Sequence, residues 1–381
     1  MPRFSALVSL LTLSLASVAS AGSSCVAFDI NWNLLAFGFN GKDYDAGTKD
    51  TWDSGTAADI TTSGRPPFDG TTTNCYLSQF ANAIYVLGAD STNPSSVYIY
   101  DATAKSWSTQ FVTADGFDPT SFSAILDHDT NVFYALSKGE IYSLDMGLLK
   151  AANATALSWT DVQKPAFNTD NYQPVMALAQ NHIHFLDVPE IAAGSALIFV
   201  IHFSYLQPEP QSYGQFPATH GQVTSLFKET GVQQEFAFIP DDGSATYVIN
   251  VETNSTQTLK GPTVKDPMAS YFASTDSLVQ LSSKGSVSFL PYSAGATSSN
   301  TAASWSTIAK LPSALSTTGG SGTGSGTGNV TGSGSPTNSA KGAAVTGNGG
   351  SDSGSNGALS LGLSAGWLGG MLVFGVTALF L

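Results

Sequence analysis

Two imidazoles stand two residues apart in His182-Ile-His184. Side chains at that spacing share one face of a β-strand. With Asp187 and His202 close by in sequence, the pair is a candidate metal site. Ligation also needs converging geometry, and the same strand face equally suits imidazoles packed beside solvent or a neighbouring element. Asp127-His-Asp-Thr-Asn131 carries oxygen side chains at alternate positions, as a calcium loop begins, but lacks the glycine and distal glutamate that complete one. Asp and Asn there favour a tight reversal between two strands through side-chain-to-backbone bonds, and the turn is the preferred reading. Asp53, Asp115, Asp118, Asp241 and Asp242 fall in loop-like segments, where a pair could act as general acid and base. Asp241-Asp-Gly243 reads most simply as a hairpin turn. A phosphate-binding glycine loop and an Asp box are both missing. These patterns assign no catalytic residue and call for no cofactor.

The chemistry best supported by short motifs is glycosylation. Asn153-Ala-Thr155, Asn254-Ser-Thr256 and Asn329-Val-Thr331 are acceptor sequons, meaningful on a chain bound for secretion. Such an address is legible at the start. A basic Arg3 precedes the apolar run Phe4 to Val18, and Ala19-Ser-Ala21 supplies small residues for cleavage, so residues 1–21 read as a signal peptide. At the other end, residues 313–358 reduce almost to Gly, Ser, Thr and Asn, which cannot bury enough apolar surface to order, and read as a flexible stalk. An apolar tail over 359–381 follows, with no basic residue behind it. Small residues, a spacer and a terminal apolar tail form a glycolipid-anchor signal, with Asn356 the first choice of attachment residue and Ser353 the second. The alternative is a retained single span over Leu361–Leu381, for which a flanking Lys or Arg would be usual. The expected location is the outer surface of the plasma membrane or the cell wall.

Formal charge is −14, yet only 11% of residues are charged. A surface dominated by neutral polar groups lacks the dense basic footprint of a nucleic-acid binder.

The elements that must position these residues repeat. Ala83-Ile-Tyr-Val-Leu-Gly88, Ser96-Val-Tyr-Ile-Tyr-Asp101 and Ser106-Trp107 form the clearest unit. Its apolar core returns at Leu34–Phe37, Val132–Ala135, His182–Phe185, Glu235–Phe238 and Ser277–Gln280, about fifty residues apart. Trp52, Trp107, Trp159 and Trp305 keep the same beat, with copies near Tyr213 and Thr258 that have lost the tryptophan. Short runs rich in Val, Ile, Tyr, Phe and Thr, bounded by Gly, Asp, Asn and Pro, predict strands throughout. The exception is Met146 to Leu157, where a short helical insertion is expected. One four-stranded sheet cannot bury both faces alone, so this period predicts an all-β, six-bladed propeller over residues 22–312. Its units fall near 25–70, 71–119, 120–170, 171–220, 221–265 and 266–312, with the third strand of the first, near Asp43-Tyr-Asp45, poorly formed. Closing the ring removes exposed sheet edges, which predicts that the first and last strands meet in one blade. Cys25 and Cys75 occupy the same place in consecutive units, so a disulfide between the first two blades is expected in an oxidising compartment.

The series Ile-Tyr-Val-Leu-Gly, Val-Tyr-Ile-Tyr-Asp and Ser-Trp resembles the kelch repeat, as do Val132–Leu136, Ile141–Asp145 and Ser158-Trp159. The double glycine of that repeat is reduced to Gly88 or missing. The plan is similar to the secreted, surface-anchored kelch or galactose-oxidase-like propellers of fungi. In the oxidases, that resemblance implies copper held by a cysteine-linked tyrosine, a second tyrosine and two histidines. No such ligand set is evident here, because both cysteines are accounted for as a disulfide. The expected activity is therefore recognition at the loop-lined face of a propeller. A glycan or cell-wall polymer is the first expected partner and an extracellular protein the second. A carbohydrate-active enzyme using loop carboxylates, and a structural coat protein, are the alternatives.

Overall fold

The structure, a computed structural model, describes residues 23–315. The signal segment, Asn329, Ser353, Asn356 and the apolar tail lie outside the described residues. Six antiparallel sheets follow one another along the chain. Blade 1 comprises Cys25–Phe28, Leu34–Phe39, Lys42–Asp45 and Ala58–Asp59; blade 2 comprises Asn74–Ser78, Ala83–Leu87, Val97–Asp101 and Ser106–Gln110. Blade 3 comprises Ser123–Asp127, Val132–Ser137, Glu140–Asp145 and Thr160–Gln163. In blade 4, Val175–Ala179, His182–Leu186 and Ser195–Val200 are completed by two short segments, Tyr205–Leu206 and Gln211–Ser212, both paired with the third strand. Blade 5 comprises Gly221–Leu226, Glu235–Pro240, Ala245–Asn250 and Ser255–Lys260; blade 6 comprises Ser270–Ala273, Ser277–Leu281, Val287–Pro291 and Ser306–Thr307. The first strand of every blade lies beside the first strands of its two neighbours, blade 6 meeting blade 1, so the ring is closed around an axis.

Tight reversals hold each sheet. Lys138-Gly139 joins the second and third strands of blade 3 with φ of 51° and 81°, the mirror-image turn whose twist matches paired strands. Glycine supplies the second of these left-handed positions without steric cost. Asp127–Asn131 is likewise the reversal between two strands paired from Asp127 to Val132, with the Thr130 hydroxyl donating to Asp127.

Apolar packing is divided into six clusters, one at each junction between blades, rather than gathered in a central core. This follows from sheets whose two faces are both apolar. The tryptophans serve these junctions in rotation. Trp107 of blade 2 meets Phe37 of blade 1 edge-on, Trp159 of blade 3 stacks on Phe117, and Trp305 of blade 6 packs among Leu259 and Val248 of blade 5. Trp52 of blade 1 meets Phe289 of blade 6. Two junctions have no tryptophan: Phe185 and Phe199 fill the space between blades 3 and 4, and Tyr213, Phe216 and Phe236 that between blades 4 and 5.

Two expectations are corrected. The terminal strands do not share a blade: blade 1 is built wholly from the first four strands and blade 6 wholly from the last four. The seam is sealed by side chains and by the segment after the last strand, laid along blade 1. Lys310 donates its amide to the Trp52 carbonyl at 3.2 Å, and the amides of Ala57 and Asn40 donate to Lys310 and Ala314. Edge closure is thus achieved by packing instead of strand exchange. Second, Met146 to Leu157 forms turns and a two-residue strand, not a helix. The left-handed Gly147 and a side-chain bond from outside the segment, Asn131 Nδ2 to the Gly147 carbonyl, compete with helical hydrogen bonds. The one α-helix among the described residues is Thr297–Ala302, in the corresponding loop of blade 6.

Candidate functional site

Because each first strand pairs only with the second strand of its blade, its other edge faces the axis. Around these edges lies a cavity of about 590 Å³, within the range of roughly 300–1,000 Å³ typical of small-molecule sites. All first strands run the same way, so the residues before them form one mouth: Thr71–Thr73, Gln173, His220 and Met268, joined by Ser282 and Ser283. Thr224, Gln222, Ser123 and Asn74 add neutral polar groups to the wall. No Asp, Glu, Lys or Arg lines this cavity.

The opposite end is closed by the loop that follows Leu226. Phe227 comes from blade 5 but reaches the axis. It stacks on His128 of blade 3 with centroids 4.5 Å apart, meets Trp32 of blade 1 at 5.4 Å and lies parallel to Phe272 of blade 6 at 6.3 Å. Gln233, at the far end of the same loop, donates to Gln79 of blade 2 at 3.4 Å and accepts the Gln180 amide of blade 4 through its carbonyl. One loop therefore contacts the five other blades and seals the floor. Burial lowers the His128 pKa, opposed by Gln233, Asp127 and Asp129, so a neutral ring stacks on Phe227.

At the mouth, His220 Nδ1 lies 2.8 Å from Asp241 Oδ2. Strand register explains the meeting, since Gly221 pairs with Pro240 and the residues just outside that pair become neighbours. Asp187, from the adjacent loop of blade 4, has its carboxyl raised by burial, with His220 opposing and Asp241 adding to the shift. The loop carboxylates otherwise scatter. Asp115 accepts from Thr113 and Ser158, Asp118 from Thr120, and Asp242 caps the turn through the Ser244 amide, while Asp53 is exposed.

His182 and His184 share a strand face, with ring centroids 6.4 Å apart. His184 is buried between blades 4 and 5 with Nε2 3.0 Å from the Tyr213 hydroxyl, whereas His202 is exposed and reaches Asn181. His202 stays near His182, whose pKa is lowered mainly by burial and in smaller part by His202. Groups of three or more His, Cys, Asp or Glu arranged to hold a metal ion are not found among the described residues. Burial, with a smaller repulsion from His182, lowers His184 to about 3. A histidine neutral in the fold but protonated when unfolded loses stability for the fold as pH drops below about 6.5, the loss growing until about pH 3. His184→Phe is expected to flatten that limb by up to about 1.4 kcal/mol per pH unit, read from urea midpoints between pH 7 and 4. An unchanged slope would mean that the imidazole takes up its proton within the fold.

Cys25 and Cys75 form the disulfide, joining the innermost strands of blades 1 and 2 beside the cavity. Asn153 and Asn254 are exposed, each in the loop before a fourth strand and so at the closed end. His220, Phe227 and Trp32 escaped sequence reasoning, for none belongs to a short motif. Compared with known proteins, the chain matches no protein-family model and no curated protein.

Proposed function

We propose that this propeller is a non-enzymatic recognition module of the cell surface, taking a neutral, polyhydroxylated ligand such as a glycan or cell-wall polymer at its open mouth. The observation that carries this reading is the cavity wall, where hydroxyls and amides such as Thr224, Gln222 and Ser123 are interspersed with apolar side chains such as Met176, Leu178 and Val223, with no Asp, Glu, Lys or Arg. Such a lining can satisfy many hydroxyl groups, while it offers no counter-charge to an anionic or cationic ligand. The two sequons of the described body lie at the closed end, where attached glycans would leave the mouth clear. The kelch-like order within blades 2 and 3 fits the same picture.

The enzymatic alternative draws on Asp187, His220 and Asp241. These stand together on one side of the mouth, between blades 4 and 5, rather than facing one another across it. Acid–base hydrolysis of a glycoside places two carboxyl groups on opposite sides of the bond.

Full-length protein in detergent, tested against arrayed neutral glycans and wall polysaccharides, should show saturable binding without product release. Release of product would put the carboxylates in charge, and silence on both readouts would favour a protein partner or a coat.

A further inference from the structure

A channel open at both ends could thread a polymer, whereas this one is blocked. We infer that the cavity receives the end of a neutral glycan chain, with the terminal sugar seated against the aromatic floor and the next residues leaving through the mouth. The inference deepens the glycan reading above and rests on it. Phe227 is buried on the axis and touches His128, Trp32 and Phe272 from three other blades, so the floor is held by packing from all around the ring. Gln233 pins the same loop to blades 2 and 4.

The floor also supplies the chemistry for a sugar ring. Phe272, only half-buried, presents apolar ring surface above the buried Phe227, which suits the C–H face of a pyranose. The wall above carries Thr224, Gln222 and Ser123, able to donate to and accept from ring hydroxyls. A mid-chain residue carries substituents on two sides and cannot reach the floor while both continue outward through one mouth. Selection is therefore by chain end, and affinity saturates once the cavity is filled, whatever the length of the polymer beyond.

The test uses the full chain in detergent with three probes: the hexaoses of β-1,3-glucan, of N-acetylglucosamine and of mannose. Each is offered free and with a bulky aryl group on both terminal residues, and binding is followed by titration calorimetry. One free hexaose should bind, its trimer should fall within about 10-fold of it, and capping should weaken it by about 100-fold or more. Thr224→Trp, which fills the cavity, should abolish binding with the thermal midpoint unchanged. Phe227→Ala, which opens the floor, should let the capped form bind if that variant folds. Equal affinity for free and capped hexaose, or full binding by Thr224→Trp, overturns end recognition and leaves the glycan reading standing. Failure of every free hexaose to bind overturns both.

Discussion

Replacing Trp52 with alanine is expected to destabilise the protein by about 3–5 kcal/mol, the usual cost of emptying a buried aromatic site. The side chain is 0% exposed. It stacks on Phe28 at 6.1 Å and meets Phe289 of blade 6 edge-on at 5.0 Å, and its indole donates to the Gly47 carbonyl at 2.9 Å. Its carbonyl also accepts the Lys310 amide that ties the last segment to blade 1. What makes this position singular is the seam. The junction of blades 1 and 2 has a disulfide, whereas the junction of blades 6 and 1 has neither a covalent link nor a shared strand. Loss of Trp52 should therefore lower the urea midpoint and, before global unfolding, open the segment near Lys310 to proteolysis. Trp107→Ala, at the disulfide-linked junction, should lose stability without that early cleavage. A loss below about 1 kcal/mol for Trp52→Ala would contradict closure by packing.

Arg65→Ala should cost a comparable amount, about 3–5 kcal/mol, because it leaves a carboxylate buried without its partner. Asp43 has no exposed side-chain surface, and Arg65 grips it in fork fashion, Nε to Oδ2 at 2.9 Å and Nη2 to Oδ1 at 2.6 Å. The guanidinium also donates to the Gly41 carbonyl and lies over the Phe68 ring at 4.8 Å. Paired replacement, Asp43→Asn with Arg65→Met, should recover much of the loss, since removing both charges avoids the stranded one. Urea titration of the single and double variants reads the coupling. A single variant within about 1 kcal/mol of the parent would show the carboxylate satisfied by the Gly38 amide alone.

This second case marks where the sequence was hardest to read. Lys42–Asp45 has the composition of a loop, with two aspartates and a lysine, yet it pairs as the third strand of blade 1. The hidden partner lies beyond the blade's last strand, so no local pattern announces it. The opposite holds for Val97–Asp101 and Val132–Ser137, whose alternating apolar and aromatic residues place both faces in contact with neighbouring blades. The Met146 to Leu157 segment failed as a helix because side-chain bonds from elsewhere, such as Asn131, hold its backbone in turns.

The sequence by itself determined the number of blades, their order and the cysteine pair, because strands and turns are written within each fifty-residue unit and a junction tryptophan within four of the six. Only the tertiary structure decided how the ring closes, which end of the channel is blocked and which side chains meet at its mouth. Phe227, His128 and Trp32 lie far apart along the chain and belong to three blades. No period or local propensity encodes their contact, which exists only once six sheets are arranged around one axis.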